Sequence, residues 1–263
     1  MAESANATTS KFEFPTEIIE LPSRGLVYSK DNPLSKGTVE IKYMTAREED
    51  ILASQNLIKK GIVLDKLFES VVVEPGVNIN DIFIGDKNAI LLATRILGYG
   101  ADYTVEITDP FTSEKQEVTI DLSKVQTKDV DESVLNAENV YKFTLPQSKK
   151  VIEFKLLTHG DEQDINKDNQ ALERVNKTKN TTSFDVTTRF RYMILSVDGN
   201  KDGGFINKWI QNGFLALDTK AFRKYVREIS PDLDLKFEFT SDITGETEAL
   251  DIPFGVSFFY PAN

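Results

Sequence analysis

Two acidic clusters are the first candidates for chemistry. One comprises Glu48, Glu49 and Asp50, and the other Asp161, Glu162 and Asp164. Paired carboxylates about 5–9.5 Å apart are what a glycoside-cleaving acid–base mechanism needs. Each cluster follows a threonine, Thr45 or Thr158, at the expected start of a helix. Negative charge is favoured in a first helical turn by about 0.3–1 kcal/mol per group. That alternative role in the fold is preferred for both clusters. A second candidate is Asp198, Asn200 and Asp202, followed by Gly203. Oxygens at positions one, three and five with glycine at six match the first half of a calcium loop. The twelfth position should be a bidentate glutamate, and here it is Trp209. Asp, Asn and Gly are also turn formers, and a polar turn is the preferred reading. The single histidine, His159, stands where the matching stretch described below carries Ala46, which argues against a catalytic role.

Composition removes other chemistries. The 263 residues include no cysteine, so disulfides, thiol catalysis and cysteine-bound zinc are excluded. One histidine cannot build a multi-imidazole metal site. No phosphate-cradling glycine loop is present, since Gly98 and Gly100 end an expected helix instead of opening one. No cofactor is therefore expected. A net charge of −11 repels phosphate, so nucleic acid is not an expected partner. No apolar run approaches the ~18 residues of a membrane span, and the first residues lack the basic start and apolar core of a secretory signal.

The elements that would position these residues occur in a repeated order. Val39 to Glu49 aligns without a gap on Ile152 to Glu162, with Glu40, Lys42, Thr45 and Glu49 matching Glu153, Lys155, Thr158 and Glu162. Asp86 to Leu122 aligns on Asp218 to Phe254 with nine identities in 37 positions. Unrelated chains would share about two. Arg95 and Arg227, and Asp86 and Asp218, are among the identities.

The pattern predicts an α+β fold of two tandem copies of a strand–helices–β-hairpin unit packed together. In the first copy, alternation from Val39 to Tyr43 predicts a strand. A capping box at Thr45 and Glu48 starts a helix running to Gly61, and a second helix covers Ile62 to Val73. Asp86 caps a third, which stops near Gly98, and a hairpin spans Tyr103 to Leu122. In the second copy, a strand at Ile152 leads to a helix begun by Thr158. Asp185 caps a helix through Val197, Asp218 caps another through Ile229, and a hairpin spans Leu235 to Phe254. The expected divisions are an N-terminal arm (1–37), the first copy (38–123), a linker (124–149) and the second copy (150–263), with an insertion near 166–185.

Apolar residues outside the repeated plan are candidate interface residues. They are Leu21, Pro22, Leu26 and Tyr28 in the arm, with Arg24 among them, and Phe258, Phe259 and Tyr260 near the end. The arm could lie on its own domain or on a neighbour. For the terminal aromatics, core packing is preferred over docking on a partner.

Several strings, taken in order, resemble the baseplate hub subunit family of T-even-type contractile-tailed bacteriophages. They are Glu20 to Tyr28, Thr45 to Leu52, Gly85 to Ala89, Gly98 to Gly100 and Phe258 to Pro261. The likeness extends from about Phe12 to Pro261 and is closest to versions in phages of marine cyanobacteria. It implies a non-enzymatic structural component of the tail baseplate hub, assembled in the host cytoplasm and located in the virion. The implied partners are other baseplate and tail proteins, with self-association within the baseplate left open. Two alternatives stand beside it: an assembly chaperone absent from the virion, and a hub-borne cell-wall hydrolase. Some members of the family resemble zinc ribbons in the hairpin. Here the turn runs from Asp109 to Ser113 without cysteine, so a metal ribbon is not implied for this chain.

Overall fold

A computed structural model describes residues 14–176 and 185–259 of the chain. The fold is α+β: eight helices with four small antiparallel sheets among the described residues.

The chain enters through β1 (Thr16–Glu20), which pairs with β2 (Thr38–Lys42) in the register Ile18↔Glu40. Most of the expected arm is thus the first strand and long loop of a hairpin. The loop folds back because Leu21, Val27, Tyr28 and Leu34 bury their side chains beneath it. Gly25 allows the closest approach. Its φ is +79°, and a Cβ there would lie 2.4 Å from the Ser35 carbonyl oxygen.

Thr45 starts α1 (Ala46–Ala53) with the expected capping box. The helix then breaks at Ser54, whose ψ of 101° is extended, and resumes as α2 (Gln55–Lys59). One continuous helix to Gly61 was expected. Gly61 does supply the left-handed stop, at φ +68°. Next come α3 (Val63–Val71) and the long α4 (Ile84–Tyr99), whose buried positions include Ala89, Ile90, Leu91 and Leu92. Strands β3 (Asp102–Thr108) and β4 (Lys115–Asp121) form a hairpin in the register Val105↔Val118.

After an irregular connection, β5 (Tyr141–Thr144) pairs with β6 (Val151–Phe154). Helix α5 (His159–Asn176) takes up the first half of the expected insertion; 177–184 lie outside the described residues. Helix α6 (Asp185–Met193) is shorter than expected because Ile194 to Val197 leaves it as β7 (Ile194–Val197). That strand adds to the open edge of β6 through Ile152↔Val197, with a bulge at Glu153 and Phe154. Pairing satisfies backbone groups that a buried segment could not leave open. Helices α7 (Gly203–Asn212) and α8 (Ala216–Ile229) follow, and then the hairpin of β8 (Lys236–Thr240) and β9 (Thr247–Asp251). Pro231 falls just after the α8 cap at Ser230, as a helix end requires.

The buried apolar residues form one cluster that includes Leu21 and Phe68 from the first half and Phe154 and Phe258 from the second. Phe258 meets Tyr103 edge to face at 5.0 Å, so the closing 3-10 turn (Val256–Phe259) packs on the first half. No helix among the described residues is long and apolar enough to cross a membrane.

Candidate interaction site

The first acidic cluster is built around Glu48, which is fully buried. Its carboxylate accepts from Lys42 Nζ at 2.8 Å, Ser70 Oγ at 2.6 Å, Thr45 N–H at 2.9 Å and Thr45 Oγ1 at 2.7 Å. Burial alone would raise its pKa. The bonds from Lys42, Ser70 and Thr45 outweigh that and hold it down to about 2. The matching residues of the second half repeat the geometry in part. Lys155 Nζ donates to both oxygens of Asp161 at 2.7 and 2.8 Å, and Thr158 N–H donates to Asp161 at 3.1 Å. Each acid ties a lysine at or just past the end of a strand to the start of the next helix.

Asp86 and Asp218 were expected as helix caps. Instead Phe83 and Leu215 occupy the cap positions, and each aspartate turns from the first helical turn into the loop of a hairpin. Asp86 accepts from Ser23 N–H at 2.9 Å, Ser23 Oγ at 2.7 Å and the Tyr28 hydroxyl at 2.6 Å. Asp218 accepts from the Gln147 and Ser148 N–H groups at 2.7 and 3.0 Å. Burial dominates at Asp86 and pushes its pKa up. At Asp218 burial opposes ionisation, but the loop N–H groups prevail and hold the pKa down.

A polar clamp between the halves was invisible in the sequence. Lys87 of α4 donates to Asp65 of α3 at 2.8 Å and to Glu162 of α5 at 3.1 Å. His159 is wholly buried beside them, with Nδ1 3.7 Å from Asp65 Oδ1 and its ring edge-on to Phe68 at 4.9 Å. Its Nε2 lies 3.1 Å from the Gln163 side-chain nitrogen. Burial first and then the Lys87 charge lower its pKa, against the opposing pull of Asp65, Glu162 and Glu69. A lysine and an aspartate at Lys87 and Asp65 gave no sequence signal, because only the packing of α3, α4 and α5 brings them together.

The halves also meet through their hairpin turns. Asp109 Oδ1 accepts from Phe111 N–H at 2.7 Å and Thr112 N–H at 3.2 Å, shaping its own turn. Its other oxygen accepts from Ser241 Oγ at 2.5 Å. Ser241 Oγ in turn accepts from Ile243 N–H at 3.3 Å and Thr244 N–H at 3.1 Å. Gln116 adds a two-way contact, donating to the Thr240 carbonyl at 3.0 Å and accepting from Asp242 N–H at 2.9 Å. Burial disfavours the charge on Asp109, yet Ser241 and the turn N–H groups keep its pKa below the ordinary carboxylate range. The joined turns leave two apolar side chains outside, Phe111 at 38% exposure and Ile243 at 63%. These residues align with each other in the sequence match, and both stand exposed on the joined turns.

The residues singled out from sequence divide differently. Leu21, Tyr28, Phe258 and Phe259 are buried in the chain's own core, where they cannot face a partner without unpacking. Pro22 is half-buried, whereas Arg24 and Leu26 are exposed. Tyr260 lies outside the described residues. In the acidic turn, Asp198 accepts from Lys150 Nζ at 2.7 Å and Val151 N–H at 2.8 Å, Asn200 accepts from Asp202 N–H at 2.9 Å, and Asp202 caps α7 through Phe205 N–H at 2.7 Å. The three side chains thus serve separate partners: the start of β6, the turn itself and the start of α7. Among the described residues no group of three or more acidic, histidine or cysteine side chains is placed to hold a metal ion.

No known protein family, curated protein or solved structure matches the chain.

Proposed function

We propose that this chain is a non-enzymatic structural component of the tail baseplate hub of a contractile-tailed phage, acting through protein–protein interfaces. The observation that carries the interaction reading is the joined pair of hairpin turns. Asp109, Ser241 and Gln116 fix two loops in one arrangement, and Phe111 and Ile243 stand exposed on it. Exposed apolar side chains on turns already held in one arrangement lose little freedom on docking, which favours an assembly contact. The baseplate assignment itself rests on the resemblance of the ordered strings from Glu20 to Pro261.

The halves are further read as two copies of one unit. Lys42 with Glu48 parallels Lys155 with Asp161, and Asp86 parallels Asp218 in gripping a hairpin loop. On this reading the acids recur because they organise the unit. The hydrolase alternative would need Glu48 to reach a substrate, and that side chain is wholly buried with four hydrogen bonds.

Mass spectrometry of purified virions tests the assignment. The chain is expected in particles at a fixed ratio to other tail proteins. Detection only in assembling lysates, with absence from particles, would replace the structural role with that of a chaperone.

A further inference from the structure

Helices α4 and α8 carry the longer sequence match, yet the same helical face has a different fate in each. On α4 it is covered by the chain itself. A Cβ on Gly85 would lie 1.9 Å from the Pro231 carbonyl oxygen, so that backbone sits directly on the helix. Asn88 Nδ2 donates to Asp232 Oδ1 at 3.0 Å. Arg95 Nε donates to the Phe258 carbonyl at 2.9 Å, and the Phe258 ring is fully buried. The cover is therefore a segment offering a carboxylate, plus an aromatic turn whose carbonyl meets an arginine.

On α8 the corresponding positions are Leu217, Lys220, Ala221, Lys224 and Arg227. Together with Glu228, which lies 3.6 Å from Lys224 Nζ, they line an open groove. Leu217 is 63% exposed, and the side chains of Lys220, Lys224 and Arg227 also face solvent. Three cations against one carboxylate, about an apolar floor, stand out on a chain of net charge −11.

We propose that the α8 groove docks a short turn of a partner protein that carries an aromatic anchor next to a carboxylate. The aromatic ring would lie over Leu217 and Ala221, and Arg227 would take a carbonyl as Arg95 does. The carboxylate would pair with Lys220, or with Lys224 in competition with Glu228. Charge complementarity of this kind sets partner choice and speeds association. A second copy of the chain is a poor occupant. Its own aromatic turn is already buried on α4, and two α8 faces brought together would oppose cation to cation. The proposal deepens the interaction reading above by naming a partner's chemistry, but it does not depend on the partner's being a phage protein.

The test is selection from a random twelve-residue peptide display library on the immobilised full chain, followed by titration calorimetry of the enriched peptides. Enrichment of Phe, Tyr or Trp beside Asp or Glu is expected. Affinity should fall about tenfold or more in Arg227→Glu and in Leu217→Asp, and should weaken with added salt. Both side chains are exposed, so an unchanged melting temperature is expected; Lys224→Glu serves if either variant melts early. The proposal is overturned if no such peptides enrich, or if their binding ignores these substitutions. It is also overturned if sedimentation shows copies of the chain associating through this groove, with the association lost in Leu217→Asp. Absence of the chain from virions would count against the structural role in the baseplate and leave this result standing.

Discussion

Asp109 and Ser241 are 132 residues apart in sequence and 2.5 Å apart across a hydrogen bond. They align with each other in the sequence match, so each turn meets its counterpart. Ser241→Ala loses that bond and the longer bonds from the Ile243 and Thr244 N–H groups, and should cost about 1–2 kcal/mol. Asp109→Ala also strips the acceptor from two turn N–H groups and should cost about 2–3 kcal/mol. Urea unfolding of both single variants and the double variant checks this. Strictly additive losses would show that the two side chains do not interact.

Asp86 and Asp218 have parallel positions but unequal loads. Asp86→Ala leaves three buried donors, from Ser23 and Tyr28, without an acceptor. Asp218→Ala strands two backbone N–H groups of a short turn. At about 1–3 kcal/mol for each buried donor that water cannot reach, the first substitution should be the more damaging by about 1–2 kcal/mol. Chemical denaturation gives the ranking, and the reverse order would refute the assignment of the Tyr28 hydroxyl to Asp86.

Acid should act through Glu48. Its pKa lies near 4.5 when unperturbed and at about 2 in the folded chain. The unfolded chain therefore binds the proton first as pH falls. The stabilisation is fully present above about 4.5 and is lost as pH drops through about 2. A shift of this size corresponds to about 3 kcal/mol. Glu48→Gln should be much less stable than the parent at pH 6, with the gap closing toward pH 2. Unfolding curves at pH 6, 4, 3 and 2 test this, and a gap that stays constant would mean that Glu48 is not held ionised.

Local chemistry was legible in the sequence and long-range packing was not. Thr45 and Glu48 announced a helix start because a capping box is complete within four residues. Asp198 to Asp202 likewise reads correctly as a turn. In contrast, Ile194 to Val197 could continue a helix or form a strand, since four apolar-rich residues fit either period. Only the free edge of β6 decides in favour of the strand. Asp86 and Asp218 have the residue type and position of caps, and what redirects them is a loop arriving from 58 to 71 residues away. The clamp of Asp65, Lys87 and His159 draws on three helices and has no linear signature. The open α8 groove became readable only by comparison with the covered α4 face.

His159 is the only histidine in the chain, so its ring can be followed by NMR without ambiguity. Burial and the neighbouring Lys87 lower its pKa from 6.5, while Asp65, Glu162 and Glu69 pull the other way. The lowering influences are expected to win, because a wholly buried ring cannot draw on water to stabilise its cation. Below pH 6.5 the unfolded chain then takes up a proton that the folded chain refuses. Stability should begin to fall as pH drops below about 7.5, and the loss should end only once the folded ring also titrates. His159→Phe removes that uptake while keeping an aromatic edge against Phe68, so its stability should be flatter across the same range. The His159 loss sets in at about pH 7.5, well above the pH at which the Glu48 loss begins. A ring that titrates above 6.5 in the folded chain would show that the three carboxylates govern the clamp, and that His159 is there as their counter-cation.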